Sequence, residues 1–206
     1  MTLCYITDRK ALEPAALLPR VVEAIGAGVD LVQIREKDLP TRPLLNLVHA
    51  AVDAARGTPT RVIVNDRLDV ALACGAAGVH LGTQSMPASV VREHAPPGFL
   101  VGVSCHSLQD ALAAQSDGAS YIVFGPVYET RSKLGYGPPL GLARLQEAAA
   151  QLRIPVLALG GITVERVEAC LEAGAAGIAG ISIFQRCESV AERVRELRSQ
   201  ESYRGH

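Results

Sequence analysis

The chain has 206 residues, 49% of them hydrophobic and 4% aromatic, with a formal net charge of −1. That aliphatic composition suits one large globular domain and excludes disordered and fibrous classes, and the near-neutral charge gives no general reason to bind nucleic acid or an anionic membrane. The five cysteines, Cys4, Cys74, Cys105, Cys170 and Cys187, are odd in number and include no C-x-x-C pair, which argues against a disulfide framework or a zinc site and for a reduced, cytoplasmic chain.

Short β-rich runs alternate with Ala/Leu-rich amphipathic segments, the pattern of repeated βα units. The runs are 3–8, 29–36, 61–66, 78–82, 100–105, 121–127, 156–161 and 177–182. Between them, segments such as "LLPRVVEAIGAG" and "SLQDALAAQSDG" carry apolar residues at the three- and four-residue spacing of a buried helical stripe. No apolar run approaches the ~18 residues of a membrane span, and the start "MTLCYITDRK" lacks the layout of a secretory signal. A helix-ending Gly precedes the second, fourth, sixth and eighth runs, in "GAGVDLVQI", "GAAGVHLG", "DGASYIVFG" and "GAAGIAGIS", where a left-handed residue is wanted. Eight units in this length predict a single α/β domain, a closed (β/α)8 TIM barrel over 1–198 with a flexible tail at 199–206. An open doubly wound sheet is the competing architecture, disfavoured because no G-x-G-x-x-G follows the first run.

A barrel places its active site where the strands end. Those ends carry Asp8; Gln33, Arg35 and Lys37; Asn65 and Asp66; His80; Ser104 and His106; Thr130, Ser132 and Lys133; Gly160 and Gly161; and Ser182. In "VQIREKDL" the two-residue period of a strand would send Gln33, Arg35 and Lys37 to one face. Gly160 and Gly161 before a helix N-capped by Thr163, with Ser182 one strand on, predict a phosphate site built from backbone N–H groups. Arg35, Lys37 and Lys133 form a second cationic cluster suited to a polyphosphate, and Asp66 beside it could hold Mg²⁺. A rim ring of ion pairs among Arg35, Glu36, Lys37 and Asp66 is the plainer alternative. His80 suits a structural role as well as a catalytic one. His106 is the better general acid/base candidate, though a helix start also accounts for it. Cys105 reads as a packed apolar residue rather than a nucleophile. "YETRSKLGYGPPLG" is long for a plain connection and is a candidate lid.

Taken in order, "ITD", "VQIREKDL", "VIVNDRLDVAL", "GVHLG", "GVSCHSLQDA", "YIVFGPVYETRSK", "VLALGGIT" and "AGAAGIAGIS" resemble the thiamine phosphate synthase family, which includes the TenI-type thiazole tautomerases. The resemblance covers nearly the whole chain. It implies an enzyme of thiamine (vitamin B1) biosynthesis, a transferase that couples hydroxymethylpyrimidine diphosphate to thiazole phosphate with Mg²⁺-assisted loss of pyrophosphate. Gln33, Arg35, Lys37, Asn65 and Lys133 would then hold the pyrimidine diphosphate, with Ser104 close to the reacting centre. Asp66 would bind the metal, Thr130 and Ser132 would meet thiazole phosphate, and Gly161 and Ser182 would hold its phosphate. Lys133, Ser104 and His106 are the implied catalytic set. The partners are small phosphorylated molecules, with no nucleic acid and no membrane; a homodimer stays open.

The chain departs from the pattern after "HLG", where synthases place Gln, a variable residue and a second metal-binding Asp. Here Thr83 and Ser85 stand instead. Tautomerases of the family lack the metal and aromatise a carboxythiazole phosphate by proton transfer, a role that would fall to His106. The synthase reading is preferred because a tautomerase has no evident need for Arg35, Lys37, Asn65 and Asp66 together. A non-catalytic thiazole phosphate binder is the third reading.

Overall fold

The computed structural model describes residues 1–13, 16–130 and 138–200. Eight parallel strands follow in sequence order: β1 (Thr2–Ile6), β2 (Leu31–Ile34), β3 (Arg61–Asn65), β4 (Gly78–Leu81), β5 (Leu100–Cys105), β6 (Tyr121–Phe124), β7 (Val156–Leu159) and β8 (Gly177–Gly180). β1 pairs with β8, Thr2 opposite Gly177 through Tyr5 opposite Gly180, so the sheet closes into a barrel and the open doubly wound alternative is removed. Each of the eight expected runs coincides with a strand, β1 beginning one residue earlier than expected, at Thr2. The glycines expected to end helices, Gly28, Gly75, Gly118 and Gly174, all lie at positive φ, between 65° and 90°.

The helices surround the barrel: α1 (Leu17–Gly26), α2 (Thr41–Ala55), α3 (Leu68–Ala73), α4 (Ala88–His94), α5 (Leu108–Ser116), α6 (Gly141–Gln151), α7 (Val164–Glu172), α8 (Ser182–Gln185) and α9 (Val190–Ser199). Each longer helix buries one stripe, for example Leu44, Val48 and Ala51 on α2 or Val190, Val194 and Leu197 on α9, against the outward faces of the strands. The inward faces make a second, smaller core of Cys4, Ile6, Leu31, Ile63, Tyr121, Val123, Leu157 and Ala179. Of the expected tail, Ser199 belongs to α9, and residues 201–206 lie outside the described ones. Among the described residues no helix is long and apolar enough to cross a membrane.

One expectation about "VQIREKDL" needs correcting. β2 ends at Ile34, so the shared strand face stops at Gln33, and Arg35 and Lys37 stand on the loop beyond. The cause is local. Thr7 Oγ1 accepts from the Arg35 N–H at 2.9 Å and donates to Glu36 at 2.6 Å, so side chains supply the bonds that a neighbouring strand would otherwise supply.

The opposite end of the barrel is tied by Arg92 of α4. Its guanidinium donates to the Phe99 and Gly118 carbonyl oxygens at 2.6 and 2.8 Å and to Ser120 Oγ at 2.6 Å, spanning the starts of β5 and β6. Arg92→Ala leaves three acceptors without their donor. It should lower the unfolding free energy by about 2–3 kcal/mol, read from urea denaturation.

Candidate active site

Because every strand is parallel, all eight C-terminal ends open on one face, and a hydrogen-bonded row crosses it. Gln33 is 1% exposed and shares the inward parity of Leu31. Its Nε2 donates to Asn65 Oδ1 at 2.9 Å, and its Oε1 has no partner among the described residues. Asn65 Nδ2 in turn donates to Asp66 Oδ2 at 2.6 Å. The Ser85 hydroxyl donates to Asp66 Oδ1 and accepts from the Gly82 N–H at 2.7 Å. Asp66 is the one non-glycine residue at positive φ among the described residues, at 61°, a conformation Asp tolerates better than most. The turn holds its carboxylate exposed at the mouth.

Lys37 lines a cleft of about 290 Å³ with Ile34, Glu36, Asn65 and Asp66. The ring of ion pairs weighed above does not form. Glu36 is buried and turned to β1, where it accepts from Thr7 and from the Arg9 N–H at 3.1 Å and pairs with the Arg9 guanidinium at 3.9 Å. Among the described residues neither Arg35 nor Lys37 pairs with an acid. Burial, the largest cause, pushes the Glu36 carboxyl above its ordinary value of 4.5, Asp8 adds to this, and the bonds from Thr7 and Arg9 oppose it. The folded chain therefore takes up this proton more readily than the unfolded one. The stability this supplies is full below the unfolded value and is lost as pH rises through the raised folded value. Glu36→Gln should remove that loss, seen as a flatter dependence of the urea midpoint on pH above 4.5.

His80 of β4 is 3% exposed, with Nδ1 3.2 Å from Tyr121 Oη and Nε2 2.9 Å from Ser104 Oγ. Ser104 is half-buried on the inward face of β5. His106 stands one residue beyond β5, where its Nδ1 bonds the Gly125 carbonyl oxygen. It lines a groove of about 880 Å³ with Phe124, Leu140 and Arg144 between α5 and α6. Ser104 and His106 thus serve different surroundings. Cys105 is fully buried, and burial pushes its thiol up to about 12, which fits a packing role.

Gly160 and Gly161 follow β7 at φ 98° and 62°. The Arg166 guanidinium donates to the Gly161 carbonyl oxygen at 2.7 Å and lies 4.5 Å over the Tyr128 ring, while the Tyr128 N–H donates to the Gly160 carbonyl oxygen at 3.0 Å. The turn is thereby fixed to the loop after β6. Thr163 is the N-cap residue of α7, as expected, but its side chain makes no cap bond. The hydroxyl instead serves Glu165, which is held below its ordinary value chiefly by that bond. Ser182 opens α8, exposed at the mouth, beside Gly161 because β7 and β8 are bonded neighbours. Asp8 caps the short 3-10 turn Arg9–Ala11 by accepting from the Lys10 N–H. Thr130 ends the described part of the loop after β6; Ser132, Lys133 and most of the candidate lid lie outside the described residues.

Tyr121, Ser85 as the partner of Asp66, and the Thr7–Glu36 anchor were not singled out from the sequence as site residues. Tyr121 was legible in principle, since the strand period that turns Ser104 inward also turns Gly102 inward, and Gly102 is its partner in register. The anchor depends on a contact across 29 residues that no local pattern encodes.

The sequence model of the family described as Thiamine monophosphate synthase matches residues 3–184. A Geobacter sulfurreducens protein provisionally named a thiamine-phosphate synthase is 47% identical over 95% of this chain and 92% of its own length. The thiamine-phosphate synthase of Chlorobium luteolum is 40% identical over 95% and 90%. The solved structure of thiamine phosphate pyrophosphorylase from Pyrococcus furiosus superposes with a TM-score of 0.88 at 35% identity, covering 100% of this chain and 97% of the other. With a match over nearly the whole barrel and a mouth built from the residues that carried the resemblance, the chain belongs to the thiamine monophosphate synthase family.

Proposed function

We propose that this chain is a thiamine-phosphate synthase, joining hydroxymethylpyrimidine diphosphate to thiazole phosphate in the cytoplasm. The carbon–oxygen bond to the diphosphate breaks with its electron pair leaving on oxygen, and the thiazole nitrogen lone pair forms the new carbon–nitrogen bond. The observation that carries the reading is the row Gln33–Asn65–Asp66–Ser85 at the ends of β2, β3 and β4, flanked by Arg35 and Lys37, which have no acidic partner among the described residues. Among the described residues nothing donates to the buried amide oxygen of Gln33, and the amino-bearing face of a pyrimidine would supply a donor. Two neighbouring cations suit a diphosphate. Gly161 and Ser182, beside one another across the mouth, suit the phosphate of the second substrate.

Mg²⁺ is part of this reading, and the donor set is compatible with it. Among the described residues no three His, Cys, Asp or Glu side chains converge, so a closed protein cage is absent there. Asp66 offers one carboxylate; of its roughly four acceptor sites, three are taken by Asn65, Ser85 and the Gly82 N–H, which leaves one on Oδ2. Mg²⁺ commonly takes one or two carboxylates and completes its shell with waters and substrate phosphates. Bound there, it would neutralise charge developing on the departing diphosphate. Ser85 holds the Asp66 carboxylate where synthases place a second acid.

The tautomerase reading places the chemistry on His106, which the fold sets at the α5–α6 groove. The activity of the native protein separates the two: under the synthase reading it releases pyrophosphate and does not aromatise carboxythiazole phosphate. Aromatisation that is indifferent to chelator and lost in His106→Ala would overturn the proposal.

A further inference from the structure

Register sets Gly102 of β5 between His80 of β4 and Tyr121 of β6. With no side chain there, the two rings meet across it, their centroids 5.8 Å apart. A Cβ at position 102 would overlap the Tyr121 ring and lie 2.6 Å from His80 Nδ1. The chain Tyr121 Oη to His80 Nδ1 at 3.2 Å, and His80 Nε2 to Ser104 Oγ at 2.9 Å, therefore depends on that glycine. It runs from the closed interior to a serine at the mouth.

Tyr121 gives the chain a direction. It is 5% exposed, and the large majority of buried hydroxyls donate their hydrogen to an acceptor; among the described residues His80 Nδ1 is the hydrogen-bond partner that Oη meets. Burial holds the phenol protonated. A ring nitrogen that accepts carries no hydrogen in neutral imidazole, so the ring hydrogen sits on Nε2. Nε2 then donates to Ser104 Oγ, and the serine's own hydrogen turns away from His80.

We propose that Tyr121 and His80 are positioning residues that commit Ser104 to donate its hydroxyl hydrogen to an oxyanion in the mouth, and so bar it from acting as a nucleophile. A nucleophilic serine would pass its proton to His80 Nε2, which this arrangement already fills. That the oxyanion belongs to the diphosphate substrate rests on the proposed function; the direction of the relay does not.

The test is nitrogen NMR of protein labelled with ¹⁵N-histidine, the His80 signals being assigned by their loss in His80→Asn. In the native protein Nε2 should be protonated and Nδ1 unprotonated. In Tyr121→Phe, which deletes one oxygen, Nδ1 loses its donor and the tautomers should mix. The kcat for pyrophosphate release should then fall about tenfold while KM for the diphosphate stays within about twofold. A native Nδ1-protonated ring overturns the proposal, as does a Tyr121→Phe protein in which either readout stays native. If the native protein releases no pyrophosphate, the proposed function falls, and the native tautomer alone decides the relay.

Discussion

Asp66→Ala is expected to lower pyrophosphate release by about 10²- to 10³-fold, the usual scale for losing one preorganised stabiliser of developing charge. Asp66 is where three protein donors and an exposed carboxylate meet, so its removal also unties Asn65 from Ser85. Alanine at φ 61° carries a backbone cost of its own, about 1 kcal/mol, which would confuse lost chemistry with lost folding. Asp66→Asn separates them, because Asn tolerates that conformation and keeps one accepting oxygen without the charge. Both variants should lose turnover, with the Asn variant lowering the urea midpoint less than the Ala variant. An Asn variant with near-native turnover would show that the carboxylate charge is not needed.

Gly161→Val should lower kcat/KM for thiazole phosphate by about a hundredfold, the penalty of shifting a positioned group by roughly 1 Å. A Cβ at 161 would lie 2.5 Å from the Glu129 carbonyl oxygen and 2.8 Å from Tyr128 Cβ, and a β-branched residue at φ 62° is strained regardless of space. The turn must move, carrying with it the backbone N–H groups proposed to hold the phosphate. KM for the pyrimidine diphosphate should stay within about twofold, since that substrate is assigned to the β2–β3 side. Equal losses for both substrates, measured by varying each at saturation of the other, would mean that the turn supports the barrel as a whole.

The barrel was legible because its signals are local and repeated. Each run alternates or is continuously apolar, and the four glycines before even-numbered strands needed only the positive φ they turned out to have. Gln33 followed from strand parity, and Asn65 and Ser104 from their place at the ends of their runs. What parity could not give was anything past a strand's last residue. Arg35 and Lys37 were read as continuing β2, yet a buried Glu36 held by Thr7 and Arg9 ends it. Thr163 was placed correctly as a cap residue, but its hydroxyl serves Glu165 rather than the helix backbone, a choice between two nearby partners that sequence does not weigh. Ser85 read as a missing acid because the resemblance supplied an Asp for comparison; its bond to Asp66 required β3 and β4 to lie side by side.

The measurement that tests the central claim most directly is a coupling assay on the native chain. Hydroxymethylpyrimidine diphosphate and thiazole phosphate are supplied together, with Mg²⁺ or with chelator, and pyrophosphate and thiamine phosphate are followed. Equal molar release of the two, dependent on the metal, is the predicted result. No release with either Mg²⁺ or Mn²⁺ would contradict the account.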